Sequence, residues 1–106
     1  MTIYALSSGP GMSGIAVIRV SGKNAAKVIK QITAEDLPTP RMATLRKFNK
    51  NGSKEMIDEG VVLWFPAPNS YTGEDLAEFH VHGSRAVIKA MHSTISEIKN
   101  CRLAEP

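Results

Sequence analysis

Titratable side chains recur at every second position of Leu76-Ala77-Glu78-Phe79-His80-Val81-His82. If this segment is extended, Glu78, His80 and His82 share one face, and Ala77, Phe79 and Val81 the other. A carboxylate and two imidazoles in a row can be read three ways. They can ligate a metal ion. They can form a solvated polar face. Or Glu78 can accept hydrogen bonds from a donor-rich heterocycle while a nearby cation keeps it ionised. Same-face neighbours on a strand stand about 7 Å apart, so a metal would need further ligands from elsewhere.

Arg19 is the cation of interest, in Ile15-Ala16-Val17-Ile18-Arg19-Val20. Alternation sets Ile15, Val17 and Arg19 on one face of that strand. An unpaired guanidinium is too costly to bury there, so Arg19 is expected at a wet sheet edge or paired. Gly9-Pro10-Gly11-Met12-Ser13-Gly14 matches Gly-x-Gly-x-x-Gly literally. A dinucleotide site would need a helix after it to receive the pyrophosphate, and Ile15 onward reads as a strand. The better reading is a loop whose backbone can approach a ligand or partner closely. Cys101 has no nucleophilic constellation around it, and His92 has the spacing of a boundary residue with no assigned role.

The elements that must position these groups can be read from periodicity. Residues 2–6 and 15–20 are dense in β-branched and aromatic residues and read as strands. Residues 23–32 show helical spacing, with Ala25, Val28, Ile29 and Ile32 on one face. Pro38 and Pro40 keep any helix from continuing through 35–40, which reads as a linker. Residues 42–48 and 56–65 flank Asn51-Gly52, which predicts a hairpin with a type I′ turn. Val61-Val62-Leu63-Trp64-Phe65 is apolar on both faces, so it belongs inside a sheet. Residues 66–75 form a polar loop long enough to suggest function. Next come a strand over 76–82 and a helix over 84–99, the helix capped by Ser84. Residues 101–103 make a last short strand. The expectation is an α+β fold: a mixed sheet of five to six strands with two packed helices.

At 106 residues, one domain with one core is expected. Hydrophobics at 42% and charged residues at 22% exclude wholesale disorder. No apolar run approaches the ~20 residues of a membrane span, and the start lacks the features of a signal peptide. A single cysteine excludes an internal disulfide framework and a Cys-based zinc module, and suits a reducing, cytoplasmic setting. The P-loop string Gly-x4-Gly-Lys-Ser/Thr is absent, so no GTP binding by this segment is expected. Charge is uneven: residues 1–54 carry a formal +7 and residues 55–106 a formal −4. The basic half raises a tRNA-contacting module as an alternative, though only Phe48 interleaves its cations.

Three strings occur in order: Gly14-Ile15-Ala16-Val17-Ile18-Arg19-Val20-Ser21-Gly22, then Pro68-Asn69-Ser70-Tyr71-Thr72-Gly73-Glu74-Asp75, then Glu78 with His82-Gly83. Together they resemble the N-terminal domain of the tRNA-modification GTPases called MnmE or TrmE, over essentially the whole chain. The resemblance implies a fold related to folate-binding domains. It implies a bound tetrahydrofolate derivative, 5-formyl- or 5,10-methylene-, contacted by Arg19 and Glu78, with Tyr71, Thr72 and Gly73 at the pocket mouth. It implies a homodimer, and a larger protein that acts with the flavoprotein MnmG (GidA) at carbon 5 of the tRNA wobble uridine. GTP, magnesium and potassium would belong to a GTPase domain absent from this segment, which alone is not expected to be catalytic. A further folate-contacting lysine of the family lies beyond Pro106, so the pocket is expected to be incomplete. The family commonly reads His-Gly-Gly where this chain has His82-Gly83-Ser84. His80 matches no fixed family feature, and its removal is expected to matter less than that of Arg19 or Glu78. The remaining alternative is a small metal-binding protein built on Glu78, His80 and His82.

Overall fold

A computed structural model describes residues 1–7 and 14–104. The elements in chain order are β1 (Thr2–Leu6), β2 (Ile15–Ser21), α1 (Ala25–Thr33), β3 (Thr44–Asn49), β4 (Met56–Phe65), β5 (Leu76–His82), α2 (Arg85–Ser96) and β6 (Cys101–Leu103). The strands form one six-stranded sheet in the order β3-β4-β5-β2-β1-β6. Every pairing is antiparallel except β1 with β6, so the sheet is mixed and the fold α+β, as expected.

Alternation along β2 and β5 decides which face is covered. Ala16, Ile18 and Val20, with Ala77, Phe79 and Val81, are buried on one side. Both helices pack against that side and contribute Val28, Ile29, Ile32, Met91 and Ile95 to the core. The rings of Phe48 and Phe79 meet edge to face at 5.3 Å. Burial of these large side chains is the main source of stability, at roughly 1.5–3 kcal/mol for each one fully withdrawn from water. On the opposite side no helix among the described residues covers Val17, Arg19, Val61, Leu63, Glu78 and His80, which are half-buried, or Ile15, Leu45 and His82, which are exposed. β4 lies between β3 and β5, inside the sheet as its apolar run implied.

Some details differ from the sequence reading. α1 starts at Ala25 rather than residue 23, and Ala34 closes it in the left-handed conformation. α2 is capped, as expected, by Ser84, whose hydroxyl accepts from the Val87 N–H. It stops at Ser96, however, rather than residue 99. Residues 97 and 98 make tighter i→i−3 bonds, and Asn100 takes φ 65, which turns the chain so that Cys101 can enter β6 beside β1. The hairpin forms, but without a type I′ turn. Gly52 has φ 72 and Asn51 does not share a positive φ, while the Ser53 N–H donates to the Lys50 carbonyl. The Asn51 N–H is used instead to reach Thr94 Oγ1 on α2 at 3.1 Å. The glycine-rich motif lies mostly in residues 8–13, outside the described residues. Gly14 is described, and strand β2 comes after it rather than the helix a dinucleotide site requires.

Candidate functional site

Arg19 and Glu78 are direct partners across β2 and β5. The Arg19 Nε donates to Glu78 Oε2 at 2.8 Å. The guanidinium is thus paired, and the pair sits in the middle of the uncovered face rather than at a wet edge. Glu78 is the better hidden partner, with its side chain 13% exposed against 38% for Arg19. The more hidden carboxylate thus meets the cation directly across the two strands.

The second oxygen, Glu78 Oε1, lies 3.1 Å from His80 Nε2. In the sequence, this spacing weighs only against a metal site, and His80 has a role only in the metal-binding alternative. Strand side chains lean along the strand, which lets two long ones close the gap. His82 goes elsewhere. Its Nδ1 stands 2.8 Å from Asp58 Oδ1 and its backbone N–H donates to Asp58 Oδ2. The three side chains therefore share a face, as alternation implied, but split into two separate pairs. Among the described residues, no group of three ligating side chains is placed to hold a metal ion.

The loop 66–75 is anchored at both ends. The Ala67 N–H donates to Asp75 Oδ1, and the Gly22 N–H to the Asp75 carbonyl. Arg41 Nη2 reaches the Asn69 carbonyl at 2.9 Å, and Ser70 Oγ bonds to the Glu74 carbonyl. On β2, Ser21 Oγ donates to Glu74 Oε2 at 3.0 Å and lies 2.8 Å from Thr72 Oγ1. Glu74 can only accept, so the Ser21 proton goes to it and Thr72 donates to Ser21. Gly73 sits in the turn at φ 80. These ties bring Tyr71, 82% exposed, across the sheet so that the Arg19 guanidinium lies 5.0 Å from the centre of its ring. That distance is within cation–π range.

Arg19, Ser21, Tyr71, Thr72 and Glu74 line a cavity of about 320 Å³, floored by Leu76. His80 and His82 line a second one of about 180 Å³ on the same face. The Arg19–Glu78–His80 row runs between them. A larger cavity of about 740 Å³ lies elsewhere, along α2 beside Tyr4, with Arg85, Lys89 and His92. Burial holds His92 below the ordinary imidazole value, and its Nε2 is shut away from solvent. Burial also pushes the Cys101 thiol upward, away from thiolate chemistry.

Two cations of the basic half stand beside carboxylates. Lys50 pairs with Glu55 at 2.8 Å, and Arg46 stands 3.5 Å from Glu35. Phe48, the one aromatic among those cations, is fully buried against Phe79 and cannot stack on a base.

The family described as GTP-binding protein TrmE N-terminus matches residues 2–106. The chain belongs to that family. It is 68% identical over 106 residues to the tRNA modification GTPase MnmE of Pelagibacter ubique, covering all of this chain and 24% of the relative. It is 50% identical over 104 residues to a mitochondrial 5-taurinomethyluridine-tRNA synthase subunit of Danio rerio, covering 98% of this chain and 21% of the relative. A tRNA modification GTPase MnmE of Rhodopseudomonas palustris is 50% identical over 105 residues, covering 99% of this chain and 23% of the relative. The chain thus spans about a quarter or less of the length of these relatives. No helix among the described residues is long and apolar enough to cross a membrane.

Proposed function

We propose that residues 1–106 act as a single tetrahydrofolate-binding and dimerisation domain of a cytoplasmic tRNA-modification GTPase. The domain holds a 5-formyl- or 5,10-methylene-tetrahydrofolate as one-carbon donor for carbon 5 of the wobble uridine. It presents its uncovered sheet face to a second copy. GTP, magnesium and potassium are handled by other parts of the full-length protein, which works on tRNA with the MnmG flavoprotein.

What carries this reading is the Arg19–Glu78 pair, set in one register position beside a cavity and under an aromatic ring. The donor set fits one end of a folate. An ionised carboxylate offers two oxygens to two parallel N–H donors, which is how an aminopyrimidine edge presents itself. Tyr71 supplies a flat apolar surface for a conjugated ring. The cavity volume stands at the low end of the ~300–1,000 Å³ of ligand pockets, enough for one end of the molecule. When bound, the folate supplies the one-carbon unit. The chain's own residues bind and orient it.

The test is a calorimetric or fluorescence titration of 5-formyl-tetrahydrofolate against wild type, Glu78→Ala and Arg19→Ala, with folding checked by circular dichroism. Loss of charge-assisted bonds worth roughly 1.5–3 kcal/mol predicts affinity lower by about ten- to 150-fold for Glu78→Ala. Arg19→Ala is expected to weaken binding too, directly or by stripping Glu78 of its cation. Folded variants that bind like wild type would show the site to be elsewhere.

A further inference from the structure

We propose that His80 is a positioning residue of this site: its Nε2–H holds the Glu78 carboxylate from the side opposite Arg19. The inference rests on the folate reading and adds a residue to it that the family resemblance does not supply.

The two oxygens of Glu78 have separate partners. Oε2 takes the Arg19 Nε–H at 2.8 Å, and Oε1 faces His80 Nε2 at 3.1 Å. A carboxylate accepts only, so Nε2 carries the proton. With Arg19 alone, the carboxylate could turn about its last torsion, which has a broad, soft profile. With a donor on each oxygen its plane is fixed. Each oxygen keeps one further lone-pair site, and two parallel ligand donors need both sites at a defined spacing. Glu78 is 13% exposed, so little water is available to replace a lost donor.

His80 is itself held from behind. Its backbone pairs with Val17 on β2 and Val61 on β4. Gly60 lets β4 approach so closely that a Cβ there would fall 2.1 Å from the His80 carbonyl oxygen. The charged groups around the imidazole are Glu78 in contact, Arg19 beyond it, and Glu59 and His82 around the smaller cavity.

The experiment compares wild type with His80→Gln, which keeps an N–H donor, and His80→Leu, which keeps bulk and loses it. Titration with 5-formyl-tetrahydrofolate is expected to show Leu weakening affinity about three- to tenfold, the range of one modest hydrogen bond. Gln should stay within about twofold of wild type, and melting temperatures should be alike in all three. Leu binding as well as wild type, or Gln losing as much as Leu, overturns the proposal. A second readout needs no ligand: the ring nitrogen shifts of His80, followed by NMR in wild type and Glu78→Ala. The wild-type ring should carry its proton on Nε2 and its resonances should move in the variant; a proton on Nδ1 alone, or unmoved resonances, overturns the contact itself. Failure of wild type to bind the folate overturns the site reading and with it the ligand half of this proposal. The ring nitrogen shifts separately decide whether His80 holds Glu78.

Discussion

The two faces of the sheet are made from the same strands and differ in almost everything else. Under the helices, Ile18, Val20, Val62 and Phe79 have no exposure at all and belong to one apolar cluster. One residue along in each strand, the opposite face carries Arg19, Glu78 and His80 in a hydrogen-bonded row, flanked by Val17, Val61 and Leu63. Period-two alternation thus lets one short strand hold the core with one set of side chains and present chemistry with the other. Stability and binding should then be separable by choosing odd or even positions.

The strongest way to test that separation is on the covered face. Phe79 is fully buried, packs on Phe48, and lies between Glu78 and His80 in sequence. Phe79→Ala should cost about 3–5 kcal/mol from the lost transfer energy and the cavity left behind. That is a large share of the ~5–15 kcal/mol of a typical domain. Urea denaturation followed by circular dichroism measures it. A cost below about 1 kcal/mol would mean that the covered face is not the core.

Gly60 is where the faces are coupled. Its Cβ would meet the His80 carbonyl at 2.1 Å and the Phe48 ring at 3.0 Å. Alanine there must push β4 from β5 or displace the ring, at roughly 1–3 kcal/mol as for overpacking. Unlike Phe79→Ala, it should also shift the His80 resonances, since the backbone carrying that imidazole has to move. A stable Gly60→Ala with an unmoved His80 would show that the close approach is easily relaxed.

How much of this was legible beforehand depends on whether the signal is local. The alternation in β2 and β5 is local, so the placement of Arg19 and Glu78 on strands could be read directly, and for Glu78 also its separation from the apolar face. β2 is apolar on both faces, so whether Arg19 stands on the core side could not be read. Nor could their meeting. β2 and β5 are separated by α1, β3 and β4, and nothing in either string specifies that Arg19 lies opposite Glu78 rather than one rung away. The resemblance to a family joined the two residues, but it said nothing of His80. Strand spacing, which counts Cα positions and ignores how long side chains lean, did not predict the His80–Glu78 contact. The same distinction explains the hairpin. Asn51-Gly52 signals a turn correctly, yet the strands close where the Lys50 N–H meets the Glu55 carbonyl, which leaves four residues in the loop rather than two, and the Asn51 N–H goes to Thr94 Oγ1 on α2. It also explains α2. Its apolar spacing continues through Ile98, which is buried, but the chain must leave the helix to lay β6 parallel to β1.

The smallest expected effect on stability is also the sharpest test of the uncovered face. Leu45 is 63% exposed on the edge strand β3, and Ile3 on β1 is 39% exposed, near the other side of the sheet. Leu45 sits beside Val61, and Ile3 beside Ser21, so both belong to the face without helices. Neither is part of the core, so Leu45→Lys combined with Ile3→Lys should alter folding stability by no more than about 0.5 kcal/mol per site. Lysine on an edge strand is also a common means of keeping sheets from pairing. If a second copy covers this face, the double variant buries two ammonium groups at the contact, which is strongly unfavourable. Light scattering over a concentration series should then show wild type moving to the dimer mass while the variant stays monomeric, with equal melting temperatures at low concentration. A variant that dimerises like wild type would place the contact away from this face. A variant that loses stability at low concentration would show that Leu45 and Ile3 support the fold itself, and the contrast between the two faces would fail at its outermost strands.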